Sequence, residues 1–63
     1  MRVIVDTAIG DQLTIRDKYV TIKSKGVHYY TMLKYVHMVK SYKKKGLERY
    51  YIYEYEVDQF EQA

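Results

Sequence analysis

The chain has 63 residues, 11 Lys and Arg against 8 Asp and Glu, a formal net charge of +3, nine Tyr and no Cys. Such a length allows one domain, residues 1–63, with a small core, because a chain of this size buries only about 60% of its unfolded surface; the lack of Cys excludes disulfides and thiolate metal sites. No run approaches 18 apolar residues and no basic-then-apolar leader opens the chain, so neither a membrane helix nor secretion is expected.

A small domain without disulfides or metal ordinarily needs another reinforcement, and a homodimer or higher homo-oligomer is the expected one. A cysteine-free composition suits a reducing, cytoplasmic setting. Asn is also missing while Lys and Glu are abundant, the trend of proteins from a thermophile, although the lack of Pro runs against it.

Residues 2–7 read as a first strand, an apolar run whose buried face the pattern leaves open. Ile9, Gly10 and Asp11 read as a turn. Residues 13–16 and 19–23 form the next two strands. A two-residue loop, Asp17 and Lys18, would pair Ile15 with Val20 and Leu13 with Ile22, so that apolar faces apolar. A three-residue first loop would place Val5 opposite Ile15 and complete a three-stranded meander.

Residues 27–42 carry two patterns. As a strand, Val27, Tyr29, Thr31, Leu33, Tyr35, His37 and Val39 share a face; as a helix, Tyr29, Met32, Tyr35, Val36 and Val39 form an apolar arc ending in Lys43 to Lys45 and Gly46. Abundant Tyr and Val favour the strand. A three-residue hairpin loop, Lys44 to Gly46, would then pair Val39 with Tyr51, Tyr35 with Tyr55 and Leu33 with Val57.

Residues 47–57 are the clearest strand. Leu47, Arg49, Tyr51, Tyr53, Tyr55 and Val57 alternate with Glu48, Tyr50, Ile52, Glu54 and Glu56, sorting aromatics to one side and carboxylates to the other. At about 3.3 Å per residue it spans about 36 Å, long enough to bend or project. The tail, residues 59–63, is polar and expected to fray. The fold class expected is all-β, a small five-stranded meander or partly open barrel of the SH3-like or OB-like kind. The alternative is α+β, with a helix over residues 27–45 packed on a small antiparallel sheet.

Charge is unevenly spread. Residues 18–46 hold eight lysines and no acid, whereas residues 47–63 hold Arg49 and five acids. Lysines interleaved with tyrosines suit nucleic acid, since ammonium groups neutralise phosphates while aromatic faces stack on bases. The candidates are Lys23, Lys25, Tyr29, Tyr30, Lys34, Tyr35, Lys40, Lys43, Lys44 and Lys45. Arg is scarce, with only Arg2, Arg16 and Arg49, so sequence-tolerant backbone contacts are expected rather than bidentate base contacts. DNA and RNA are equally compatible, and a regulatory role fits so small a protein. Tyr51, Tyr53 and Tyr55 form the alternative site, an aromatic face for protein interaction or self-association.

Enzyme signatures are missing: there is no Gly-rich phosphate loop, nucleophile elbow, HExxH or CxxC. His28 and His37 are too few for a zinc site and fall on opposite strand faces, and Asp6, Asp11 and Asp17 are expected to mark turns and a strand face rather than a magnesium cluster. The sequence therefore predicts a non-enzymatic protein with no cofactor, no metal, no small-molecule substrate and no membrane partner.

Overall fold

A computed structural model describes residues 1–63. Its strands are β1 (Arg2–Asp6), β2 (Gln12–Arg16), β3 (Tyr19–Ser24), β4 (Val27–Met32), β5 (Val36–Lys44), β6 (Leu47–Val57) and β7 (Glu61–Gln62), with 3-10 turns at Thr7–Ile9 and Leu33–Tyr35. The chain is all-β, and the alternative helix over residues 27–45 does not form. All strand pairs are antiparallel, in a three-stranded sheet ordered β1-β6-β5 and a four-stranded sheet ordered β2-β3-β4-β7.

The inward faces of the two sheets meet at Val3, Val5 and Val57 from one and Val20 and Ile22 from the other. Leu13, Tyr29, Val36, Tyr53 and Tyr55 complete this small core at its margins. In β3 the alternation is strict: Val20, Ile22 and Ser24 are buried while Tyr19, Thr21 and Lys23 are exposed, as period-two side chains on a sheet with one wet face require.

The β2–β3 hairpin forms as its alternation predicts, with Ile15 opposite Val20 and Leu13 opposite Ile22 around Asp17 and Lys18. Asp17 takes a positive φ of 55°, a conformation that short polar side chains tolerate. The next hairpin turns at Lys25 and Gly26, both with positive φ, 51° and 82°. Positive φ at both central residues defines the turn whose twist matches that of the strands.

Two connections differ from expectation. First, β1 pairs with β6, Val3 opposite Tyr55 and Val5 opposite Tyr53, and not with β2; the meander consists of β2, β3 and β4. The 3-10 turn at Thr7–Ile9 carries the chain out of one sheet into the other. Second, residues 27–42 are two strands. The 3-10 turn at Leu33–Tyr35 divides them, so β4 and β5 lie in different sheets.

The β5–β6 hairpin exists, but its register differs. Its loop is two residues, Lys45 and Gly46, with Lys44 opposite Leu47; Lys43 then faces Tyr51, Ser41 faces Tyr53, Met38 faces Tyr55 and Val36 faces Val57. Residues 48–50 are extra on one strand and Val39 on the other. Such bulges displace every pair beyond them, which counting back from the turn cannot foresee. The outer part of this hairpin extends past β1 as an arm, and the molecule measures 33 × 21 × 21 Å.

The tail is ordered against β4. Tyr29 pairs with Gln62 and Tyr30 with Glu61, Thr31 donates its hydroxyl hydrogen bond to the Gln59 carbonyl, and Phe60 meets Tyr29 edge-on with centroids 5.5 Å apart.

Candidate nucleic-acid interface

Each sheet has an outward face, and the two differ electrostatically. On the three-stranded sheet, Glu54 in central β6 is covered by long side chains. Arg2 Nη1 lies 3.3 Å from one oxygen, and Lys40 Nζ 3.6 Å from the other. Tyr42 donates its hydroxyl to Glu54 at 3.1 Å. Burial pushes the Glu54 carboxyl up, but the Tyr42 hydrogen bond and the Lys40 and Arg2 charges outweigh it and hold it below its ordinary value. Nearby, Lys44 Nζ sits 2.6 Å from Asp6 Oδ2, and that hydrogen bond holds the Asp6 carboxyl below its ordinary value. His37 Nε2 lies 2.8 Å from Asp58 Oδ2. This face neutralises itself.

On the four-stranded sheet, the register places Arg16, Tyr19 and Met32 in one row, Thr14, Thr21, Tyr30 and Glu61 in the next, and Gln12, Lys23 and His28 in a third. Tyr19 is 62% exposed and Tyr30 44%. Arg16, Lys18, Lys23, Lys25 and Lys34 lie on this face or at its rim, and none has a carboxylate within 4.0 Å. With strands about 4.8 Å apart and about 3.3 Å per residue, the face measures roughly 20 by 14 Å.

At one end the face deepens into an open cleft of about 480 Å³, lined by Tyr19, Tyr30, Met32, Tyr35 and Phe60, with Gln59 and Glu61 among the polar groups. A second hollow of about 320 Å³, lined by Lys18, Met32, Leu33 and Lys34, adjoins it across Met32. The Leu33 N–H donates to the Lys18 carbonyl at 2.8 Å, fixing the two lysine-bearing turns together. Lys34 Nζ stands 5.1 Å from the Tyr35 ring centroid.

The residues expected from sequence therefore separate into groups. Lys23, Tyr30, Lys34 and Tyr35 share the four-stranded face, with Lys25 at its far rim. Tyr29, their neighbour in sequence, points inward to the core. Lys40 and Lys44 are held by carboxylates on the other sheet, and Lys43 and Lys45 sit on the projecting arm with Arg49. Sequence reasoning missed Arg16, Lys18, Tyr19 and Phe60. The alternation of β3 put Tyr19 outward opposite buried Val20, and that signal was available; Phe60 carried none.

Tyr51, Tyr53 and Tyr55 stack in a row with centroids 6.1 and 6.3 Å apart. Tyr53 and Tyr55 pack on the chain's own core, and burial raises the Tyr55 hydroxyl above its ordinary value. Only Tyr51, 39% exposed, remains open.

The aspartates do mark turns. Asp6 accepts the Ala8 N–H at 3.0 Å, capping the first 3-10 turn. Asp11, 4% exposed, accepts the Asp6 N–H at 3.1 Å and the Lys25 N–H at 2.9 Å. No group of three His, Asp or Glu side chains is arranged to hold a metal ion, and no helix is long and apolar enough to cross a membrane. Comparison with known protein families, curated proteins and solved structures finds no match to this chain.

Proposed function

We propose that the protein binds nucleic acid on the outward face of the four-stranded sheet, with contacts that tolerate sequence. One observation carries this. The unpaired cations Arg16, Lys18, Lys23, Lys25 and Lys34 border exposed Tyr19 and Tyr30 on one face, whereas the opposite sheet pairs Arg2, Lys40 and Lys44 with its own acids. Ammonium and guanidinium groups gain by releasing counterions from phosphates, and the tyrosines supply stacking surfaces. No catalytic step is assigned.

Anisotropy titration of a labelled oligonucleotide at several salt concentrations tests this. Five phosphate contacts to a single strand give a slope of log affinity against log salt of about −3.5. Charge reversal at Lys18 and Lys23 together weakens binding at least tenfold. Binding that is absent at low salt, or indifferent to salt, overturns the proposal.

The second reading, a homodimer or protein-interaction module, is favoured by the arm. Leu47, Tyr50 and Tyr51 are exposed there and Met38 and Val39 are exposed farther along β5, and exposed apolar patches mark association surfaces. A monomer in sedimentation at high protein concentration removes the homodimer.

A further inference from the structure

Resting on that proposed binding face, we infer that the aromatic cleft holds one unpaired base of a single strand, with preference for a base bearing an amino group. Three observations converge. The cleft's size, about 480 Å³, falls within the range of small-molecule pockets, and four aromatic residues, Tyr19, Tyr30, Tyr35 and Phe60, line it. Its architecture is preformed: the Asp58 N–H donates to the Tyr35 carbonyl at 3.0 Å, the Ala63 N–H donates to the His28 carbonyl at 3.0 Å, and Phe60 is braced edge-on against Tyr29. Little ordering remains for a ligand to impose, which favours binding.

Charge is divided across the cleft. Lys18 and Lys34 border the hollow on the far side of Met32, while Glu61 stands in the wall beside Tyr30. A base seated in the cleft places its adjoining phosphate toward the lysines that border the neighbouring hollow. Its edge meets the part of the wall where Glu61 stands beside Tyr30. A carboxylate accepts hydrogen bonds, so it favours the exocyclic amino donors of cytosine, adenine and guanine over thymine and uracil, whose ring N3–H is flanked by two carbonyl oxygens that repel the carboxylate. A paired base has both faces stacked and its edge occupied, so a duplex reaches only the surrounding cations.

The test uses the full chain and labelled ten-residue oligonucleotides, dC10, dA10 and dT10, beside a mixed-sequence duplex of equal length. Expected are affinities for dC10 and dA10 at least tenfold above the duplex and several-fold above dT10. Tyr30→Ala should cost the single strands about tenfold and the duplex several-fold less than that, and Glu61→Gln should narrow the gap to dT10. Because Tyr30 is exposed, its variant is expected to fold; Tyr19→Ala gives the same readout independently. Salt-dependent binding in which duplex equals single strand and both tyrosine variants are silent overturns this inference and leaves the binding face standing. Loss of all salt-dependent binding overturns both.

Discussion

Thr7 Oγ1 donates to the Tyr51 carbonyl at 2.8 Å and accepts the Tyr51 N–H at 2.9 Å, so one hydroxyl takes both hydrogen bonds that a strand residue would make. Strand β1 ends one position earlier, with Asp6 opposite Ile52. A side chain thus continues the ladder by one pair and clamps the arm at its base. Thr7→Val removes both bonds at nearly constant volume. The expected cost is about 1–2 kcal/mol, lowering the melting temperature by roughly 4–16 °C for a domain of this size. Hydrogen exchange at the Tyr51 amide should accelerate more than at Val57; equal acceleration would mean the clamp is not local.

Asp11 joins two turns that are distant in sequence, accepting backbone hydrogen bonds from Asp6 and Lys25 while buried. Asp11→Ala leaves two donors without a partner and should cost about 2–4 kcal/mol, read as a shift in the urea midpoint. Asp11→Asn keeps one acceptor oxygen and should lose less than Asp11→Ala.

Stability should form a plateau from about pH 5 to about pH 10 and fall on both sides. Asp6 and Glu54 have folded-state carboxyls below their ordinary values of 3.8 and 4.5. Their stabilisation is present above those values and is lost as pH falls through them, because the unfolded chain takes up protons first. Tyr42 is held above its ordinary value of 10.0, first by its hydrogen bond to Glu54 and then by burial. Its stabilisation is full below pH 10 and is lost as pH rises beyond. One contact serves both limits, so Glu54→Gln should reduce both the acid and the alkaline limb in thermal melts across pH. An alkaline limb unchanged by the substitution would show that the Tyr42–Glu54 bond does not operate in solution.

Lys25→Asn separates fold from binding. Asn adopts positive φ more readily than Lys, and Asn-Gly is the favoured pair for this turn. Stability should rise by up to about 1 kcal/mol in chemical denaturation. At the same time one cation is lost from the rim of the binding face, and the salt slope for a single strand should become shallower by about 0.7. A variant that is more stable with an unchanged slope would place Lys25 outside the phosphate path.

On the arm, charge reversal at Lys43 and Lys45 should weaken oligonucleotide binding less than charge reversal at Lys18 and Lys23. The reverse order in an anisotropy titration would move the binding surface from the sheet to the arm.

Period-two patterning alone determined most of the strands. Residues 53–57 alternate between Tyr53, Tyr55 and Val57 on the core side and Glu54 and Glu56 on the other, and β6 spans residues 47–57. The β2–β3 hairpin was legible because only one register sets Leu13 and Ile15 against Ile22 and Val20. Local side-chain alternation is written in the order of residues, and a strand needs little else to be recognised. Partner choice is different, since it depends on which apolar faces close the core after the chain has looped back. That closure decided that β1 joins β6 and that the chain turns at Leu33–Tyr35, a segment with no Gly, Pro, Asn or Asp to mark a turn. It also decided the candidate site. Tyr19, Tyr30, Tyr35 and Phe60 are scattered between positions 19 and 60 and meet only because β7 returns beside β4. Lys40 and Lys44 resemble Lys23 and Lys34 in sequence; only tertiary placement beside Glu54 and Asp6 removes them from the pool of free cations.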